Sequence, residues 1–493
     1  MLNHLPILQV IVPLLAAPLC LLLNKARTAW CFAMLAGLLS LLISGLLLQQ
    51  VLTEGTLSYN LGGWAAPWGI EYRIDALSAY VLLIVSMIGA LVLIASRRGV
   101  QGEIEPAQQP LFYVLYLLCL AGLLGIVATG DVFNVFVFLE ISSLASYALI
   151  ACGKDRRALW ASYQYLIVGT IGATFFLIGV GLLYALTGTL NMEDMALRLP
   201  LVSSPITEGT AFAFIVVGIC LKLALFPLHL WLPNAYAYAP SMVTAFLAGT
   251  ATKVAVYLLI RMHYTVFGLE FSAATFPAIN TLFLVLGLIG VFIASLVAIR
   301  QPNIKRLFAY SSVAQVGYMI IGMGIGSAVG LQATLLHLFN HALMKTALFL
   351  ALGAVMMRFG SVHRDNFNGL GKQMPWTMGA IVIGGLSLIG VPLTVGFVSK
   401  WYLVLAAIEA GLWPVALLVV AGSLLAVYYV WDLVEAAYFG KPAADSAPKQ
   451  EAPWTVLAPI WILALANIYF GIDTRLPVMV SSSAVQALLG GQP

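Results

Sequence analysis

Largely apolar runs of about 18 or more residues recur along almost the whole chain, each long enough to cross a bilayer as a helix. Lipid offers no partner to exposed N–H and C=O groups, so this pattern predicts a nearly all-helical backbone. Fourteen spans are expected, near 5–24, 29–52, 75–96, 110–129, 131–152, 159–187, 210–230, 241–263, 275–299, 306–325, 328–357, 377–405, 412–440 and 454–472. The longest loops are 53–74, 188–209, 358–376 and 441–453. The first run, "PILQVIVPLLAAPLCLLL", lacks a basic n-region and is followed by Lys25 and Arg27. It reads as a first span rather than a signal peptide. The expected fold class is an all-α polytopic membrane protein.

Composition agrees. Of 493 residues, 62% are hydrophobic and 9% charged, against roughly 25% charged in soluble domains. Little extramembrane structure is expected. The five cysteines stand singly in apolar runs, with no CxxC or Cys/His cluster, so neither a disulfide framework nor a metal site is signalled. No nucleotide motif, Fe–S cysteine set or haem ligand is visible, and no cofactor is expected.

Charge sets the orientation. Taking alternate loops from the one after the first span, one side holds fifteen Lys and Arg: Lys25, Arg27, Arg97, Arg98, Lys154, Arg156, Arg157, Arg300, Lys305, Arg306, Arg358, Arg364, Lys372, Lys441 and Lys449. The other side and the C-terminus hold four, Arg73, Arg198, Arg261 and Arg475. The positive-inside rule then places both termini outside the cytoplasm and favours an even number of spans. The net charge of +4 is therefore mostly topology signal, not a nucleic-acid patch. The remaining four of the 23 basic residues are Lys222, Lys253, Lys345 and Lys400, all inside spans. Glu140 is the one carboxylate deep in a span; Asp131, Asp432 and Glu435 lie near span ends.

A charge at the bilayer centre costs roughly 2.5–3.5 kcal/mol on insertion-based scales, and intramembrane ionisable residues mark functional sites by default. Ser143 and Tyr147 follow Glu140 at i+3 and i+7, which gives span 5 one polar face. Lys222 lies near the middle of span 7. A Glu140–Lys222 ion pair is expected, with the partner's charge and desolvation opposed, so that small movements switch it; the alternative is a static pair holding two helices. Lys253 has Thr250 and Tyr257 on its face, and either handles protons or snorkels. In "LLHLFNHALMKTALFLALG", His337, His341 and Lys345 fall at i, i+4 and i+8, about 6 Å apart along one stripe. Histidine titrates near physiological pH, which suits relay through water. Metal binding by the two histidines has no acidic third ligand nearby in sequence. Lys400 lies in "LSLIGVPLTVGFVSKWYLV", where Pro392 interrupts a span just as Pro227 does beside Lys222. A mid-helix proline removes a backbone hydrogen bond, and paired broken helices point to a transport path. His229 is placed to line an exit toward the cytoplasm.

The stretches "KLALFPLHLWLPNAYAYAPSMVTAFLAGTATKVAVYLLIR", "IKRLFAYSSVAQVGYM", "HLFNHALMKTALFL" and "GVPLTVGFVSKW" resemble the antiporter-like membrane subunits shared by Mrp-type cation/proton antiporters, respiratory complex I and membrane-bound hydrogenases. The "KLALFPLH" form and a lysine at 400 look most like the D subunits of Mrp antiporters. "NAYAYAP" lacks the acidic residues often found there, and "GVPLTVGF" replaces the usual "GVPPLSGF". The resemblance implies fourteen helices, with inverted five-helix repeats over helices 4–8 and 9–13 and breaks in helices 7 and 12. Residues 1–109 would carry helices 1–3, 110–265 and 266–440 the two repeats, and 441–493 a cytoplasmic loop and helix 14. It implies that Glu140, Lys222, Lys253, Lys400 and the histidines His337 and His341 are the family's proton-handling positions.

The expected function is proton translocation in a multisubunit Na+/H+ antiporter of the bacterial cytoplasmic membrane. Partners would be other membrane subunits, the lipid bilayer, protons and sodium. One rival is a pump module whose redox chemistry sits on partner subunits. The other is a scaffold in which buried charges only hold helices together.

Overall fold

The computed structural model of the protein describes residues 2–23, 25–202, 204–268, 276, 278–441 and 450–490. The first residues of the expected ninth span, and residues 442–449 of the loop before the last span, Lys449 among them, lie outside the described residues.

Among the described residues, thirteen helices are long and apolar enough to cross a membrane. They coincide in place with the expected spans 1–11, 13 and 14. The expected twelfth is two shorter helices, Pro375–Ile389 and Val395–Glu409. Local chemistry sets many of the ends. Asp75, Asp131, Asn303 and Ser327 cap the helices that begin at Ala76, Val132, Ile304 and Ala328, each accepting from a backbone N–H three residues on. Gly326 and Gly360 end the last two of these in the left-handed conformation, and Gly188 ends Arg156–Thr187 in the same way.

The spans Ala76–Glu103, Ser241–Val266, Ile304–Ile325 and Ala328–Phe359 are mostly buried, whereas Arg156–Thr187, Ile279–Ile299 and Trp413–Phe439 leave most of their residues facing outward. The outward residues are largely apolar, for example Leu159, Ile167, Leu417 and Leu424, as lipid contact requires. Lys253, Lys305 and Lys345 lie on the mostly buried spans, and Lys222 and Lys400 on spans 7 and 12.

The interruptions matter most. Span 7 runs Pro205–Leu223, turns at Ala224 with a positive φ of 59°, and resumes as Trp231–Tyr238. Pro227 lies in the gap. The gap of span 12 holds Gly390 (φ 90°), Pro392 and Leu393 (φ 72°). Span 8, expected as one helix, is also interrupted: Ser241–Gly249 and Ala251–Ile260 meet at Thr250, and a π turn, Arg261–Val266, follows. Gly249 packs directly against the Thr346 hydroxyl of span 11 and Ile88 of span 3, where a Cβ would not fit. No proline marks this break, so the apolar pattern did not show it.

Two elements were not expected. Residues Leu57–Asn60 (β1) and Glu71–Ile74 (β2) form an antiparallel hairpin with Leu57 opposite Ile74, inside what reads as a long loop. After the last span, Arg475–Leu488 is an amphipathic helix that buries Pro477, Val480, Ala484 and Val485. It packs on spans 3 and 11.

Candidate functional site

The first group of buried polar residues lies between spans 5 and 7. The Lys222 side chain is 7% exposed, and its Nζ donates to Ser143 Oγ at 2.6 Å and to the Tyr147 hydroxyl at 3.3 Å. Gly169 on span 6 makes room: a Cβ there would collide with the Tyr147 hydroxyl. The expected contact between Glu140 and Lys222 does not form. No ion pair joins them among the described residues, and Glu140 Oε1 is buried with no hydrogen-bond partner. The cause is the helical stripe itself. Glu140, Ser143 and Tyr147 share one face, and Lys222 docks on the two hydroxyls one and two turns beyond the carboxylate.

A small cavity of about 30 Å³, room for about one water, opens beside Lys222. Ser142, Ser143 and Ser146 line one wall, and Ala251, Val254 and Ala255 of span 8 line another. Lys253 on that helix is fully buried. Its Nζ donates to the Ala248 carbonyl, and Thr252 Oγ1 lies at 3.5 Å. The break at Thr250 frees this carbonyl for the lysine.

The second group is nearly continuous. Lys345 on span 11 donates to the Phe308 carbonyl at 2.8 Å and to Ser311. His341 follows one turn back, fully buried, with neither ring nitrogen bonded to a protein group. Its ring is parallel to that of His337, with centroids 6.1 Å apart. His337 Nδ1 lies 2.8 Å from Ser399 Oγ, and its ring meets Tyr318 edge-on at 5.8 Å. Lys400 completes the line. Its Nζ sits 4.8 Å above the Tyr318 ring and 2.9 Å from Leu388 O, Ile389 O and Ser423 Oγ. The two carbonyls belong to the end of Pro375–Ile389, which the break leaves without helical partners. A cation at a helix C-terminus is also favoured by the helix dipole. Since buried polar atoms need partners, the free histidine nitrogens suit water-mediated transfer.

His229 lies in the break of span 7, 5% exposed, stacked on Phe226 and edge-on to Tyr310 of span 10. Pro227 and Pro392 sit in the two breaks beside Lys222 and Lys400. The structure thus gathers His337, His341, Lys345 and Lys400 into one line, sets Lys222 and Lys253 on either side of a shared helix and cavity, and leaves Glu140 adjacent but unpaired.

Sequence reasoning missed the hydroxyls that hold Lys345 and Lys400, namely Ser311 and Ser423, that of Ser399 on His337, and the ring of Tyr318. It also counted Arg261 and Lys305 as loop charges. Both are buried. Arg261 pairs with Asp75 at 2.7 Å, and Lys305 lies 3.7 Å from Glu103 while donating to the Ala239 carbonyl. A signal existed for one: Arg261 lies at i+8 from Lys253, on the same stripe. Outside the spans, hydrogen bonds from Arg157 and Arg475 hold the Asp155 and Asp473 carboxyls below the ordinary range, the latter at about 2.

The model of the family described as NADH:quinone oxidoreductase/Mrp antiporter, TM, matches residues 129–426, which hold every one of these buried groups from Glu140 to Lys400. The chain belongs to this family. Within the family, it is 44% identical over 485 residues to NADH-quinone oxidoreductase subunit N of Desulforudis audaxviator, covering 95% of this chain and 96% of that one. It is 30% identical over 496 residues to the D subunit of the Na(+)/H(+) antiporter of Bacillus subtilis, covering 99% and 97%. Among solved structures, a chain of the Mrp complex from Dietzia sp. DQ12-45-1b superposes with a TM-score of 0.90 at 25% identity, covering 99% of this chain and 97% of that one. A chain of an archaeal respiratory complex, the membrane-bound sulfane sulfur reductase, gives 0.90 at 32% identity, covering 99% and 98%. This antiporter-like family member is therefore similar, over its full described length, to subunits of both antiporter and respiratory assemblies.

Proposed function

We propose that this chain is the proton-translocating subunit of a multisubunit Na+/H+ antiporter in the bacterial cytoplasmic membrane, with both termini on the outer side. Residues 110–265 and 266–440 act as two halves of inverted topology, with 1–109 and 441–493 flanking them. The observation that carries the reading is the line Lys345–His341–His337–Lys400. Four protonatable groups at mid-membrane, each one step from the next through a hydroxyl, a ring or water, are costly unless used. Glu140 and Lys222 form the switch of the first half. A proton on Glu140 changes the field at Lys222 through Ser143 rather than by a contact pair. Lys253 passes the change to the Lys345–His337 stripe, and Lys400 is the exchange site of the second half. Lys400 has three acceptors for its three ammonium hydrogens, and Ser423 is itself within reach of the Val419 carbonyl.

A second reading is a proton pump driven by redox chemistry on partner subunits. It is favoured by the 44% identity to a quinone oxidoreductase subunit and by the respiratory structure neighbour. Vesicles separate the two. The native gene cluster, expressed in antiporter-deficient cells, is assayed in inside-out vesicles for cation-induced pH change. Sodium collapsing the proton gradient in wild type, but not in Glu140→Gln or Lys222→Ala, supports the antiporter. A wild type silent to cations but active with an electron donor supports the pump. Equal responses in wild type and variants defeat the site assignment.

A further inference from the structure

The half-helix Pro375–Ile389 is met at both ends by charged side chains from outside it. At its first turn stands Glu451, from the segment just before the last span, 75 positions beyond Trp376. Glu451 Oε1 accepts from Trp376 N at 2.6 Å and from Thr377 N at 3.1 Å. Its Oε2 accepts from Thr377 Oγ1 at 2.8 Å and from Ala452 N at 3.2 Å. Pro375 has no N–H, and Met378 N bonds to the Met374 carbonyl. One carboxylate thus satisfies both amides of this turn that lack a backbone partner. Among the described residues Glu451 makes no ion pair. Its backbone carbonyl accepts from Arg358 Nη2 at the end of span 11, the span that carries His337, His341 and Lys345.

At the opposite end, the Leu388 and Ile389 carbonyls each lie 2.9 Å from Lys400 Nζ. The half-helix has fifteen residues, a rod of about 22 Å. The break around Gly390, Pro392 and Leu393 separates it from the half of span 12 that carries Lys400. The place of the two carbonyls relative to the lysine therefore depends on what fixes the rod, and a slide of about half an ångström takes such a contact out of the ordinary hydrogen-bond range. A carboxylate at the first turn and a cation at the last also both suit the helix dipole. The same arrangement recurs at Ser241–Gly249. There Glu103, 138 positions earlier, accepts from Ser241 N at 3.0 Å, and Lys253 donates to the Ala248 carbonyl at the other end. Glu103 also faces Lys305 at 3.7 Å, so Glu451 is the case in which anchoring stands alone. Asp75, Asp131, Asn303 and Ser327, by contrast, cap the helices they immediately precede.

We propose that Glu451 is a positioning residue for Lys400: by anchoring the first turn of Pro375–Ile389 to the end of span 11, it sets where the Leu388 and Ile389 carbonyls stand. The inference rests on the reading of Lys400 as an exchange site, and adds a residue outside the buried line on which that site depends. A carbonyl only accepts, and bonds to a charged donor are the stronger ones, so these two oxygens hold the ammonium form of the lysine. Without the anchor the half-helix slides along its axis, the carbonyls meet Lys400 at varying distance, and proton exchange there slows.

The test uses the full chain in its native complex. Glu451→Ala is expected to slow proton movement in inside-out vesicles about fivefold, the worth of one modest hydrogen bond in a barrier. Glu451→Gln, which keeps Oε1 for both amides, is expected to recover most of the rate. The melting temperature of the tagged chain, followed by fluorescence-detected size exclusion of the complex, gives a second readout. Distant sites with no shared partner normally add. Glu451→Ala with Lys222→Met should therefore show the sum of the two single drops. Glu451→Ala with Lys400→Met should fall little further than the larger single drop, because both act on one half-helix. If Glu451→Ala does not assemble, Glu451→Asp, one methylene shorter, serves in the same comparisons. Summed drops for the Lys400 pair would make Glu451 an ordinary helix cap and overturn the inference. Wild-type proton movement in Glu451→Ala, or an equal loss in Glu451→Gln, would overturn it too. The melting measurements need no transport. A complex silent to both cations and electron donors would end the transport reading, while the coupling between positions 451 and 400 still decides the positioning.

Discussion

The side-chain nitrogen of Lys222 lies 2.6 Å from the hydroxyl of Ser143, where a carboxylate contact was expected. A hydroxyl can accept from an ammonium and donate to an amine, so it serves both protonation states of the lysine. Ser143→Ala is predicted to lower proton movement about tenfold, since one hydrogen bond to a charged group is worth about 1.5 kcal/mol or more. Combined with Glu140→Gln it should add little, because both act on the same lysine. Dye quenching in inside-out vesicles measures this; strictly additive losses would separate Ser143 from the switch.

Gly169 sets the position of Tyr147. A Cβ at 169 would also lie 3.3 Å from Lys222 Nζ. Gly169→Ala should therefore displace Tyr147 and cost about 1–3 kcal/mol, as overpacking does. The expected signs are a lower melting temperature in detergent and transport at least as impaired as in Tyr147→Phe. Full activity with an unchanged melting temperature would show that the helices yield at no cost.

The two half-helix lysines should differ in stability. Lys400→Met leaves the Leu388 and Ile389 carbonyls without their partner, a loss of about 1–3 kcal/mol for a buried group left unsatisfied. Lys222→Met leaves Ser143 and Tyr147, hydroxyls free to bond each other or water. Thermal unfolding of the purified proteins is expected to show the larger drop for Lys400→Met. The opposite order would mean that carbonyl capping contributes little at the second break.

Ser399 orients His337 through the bond at Nδ1. Ser399→Ala is predicted to slow proton movement about tenfold while leaving melting temperature within the range of an ordinary core substitution. Ser399→Thr, which keeps the hydroxyl, should recover most of the rate. Failure of Thr to rescue would argue that the bond is incidental.

By contrast, the Arg364–Asp432 pair is half-exposed, with Nε 2.6 Å from Oδ2. Such pairs contribute roughly 0–1 kcal/mol. Arg364→Gln and Asp432→Asn should leave both stability and cation-driven pH change close to wild type; a large effect on transport would draw this loop into the mechanism.

Much of the site was legible along the chain. Lys222, Lys253, Lys345 and Lys400 stand out because a charge in an apolar run is rare, and the stripe from His337 to Lys345 follows from helical spacing alone. The prolines at 227 and 392 announced two breaks. The break at Thr250 was silent, because its cause is a close approach of Gly249 to span 11 and not a residue that refuses helix. Arg261 and Lys305 read as loop charges because they sit near span ends, where linear position cannot distinguish a solvated side chain from one folded inward onto a partner.

The spans and their order were determined by the sequence itself, since run length against bilayer thickness is a local property. Which groups meet was decided only by the tertiary structure. Lys400 reaches His337 through Tyr318, Lys222 prefers Ser143 to Glu140, and Arg261 finds Asp75 almost two hundred positions earlier in the chain. Each depends on how a helix is rotated about its own axis. In lipid, where the outside is as apolar as the inside, the hydrophobic pattern does not specify that rotation; packing and buried polar contacts do.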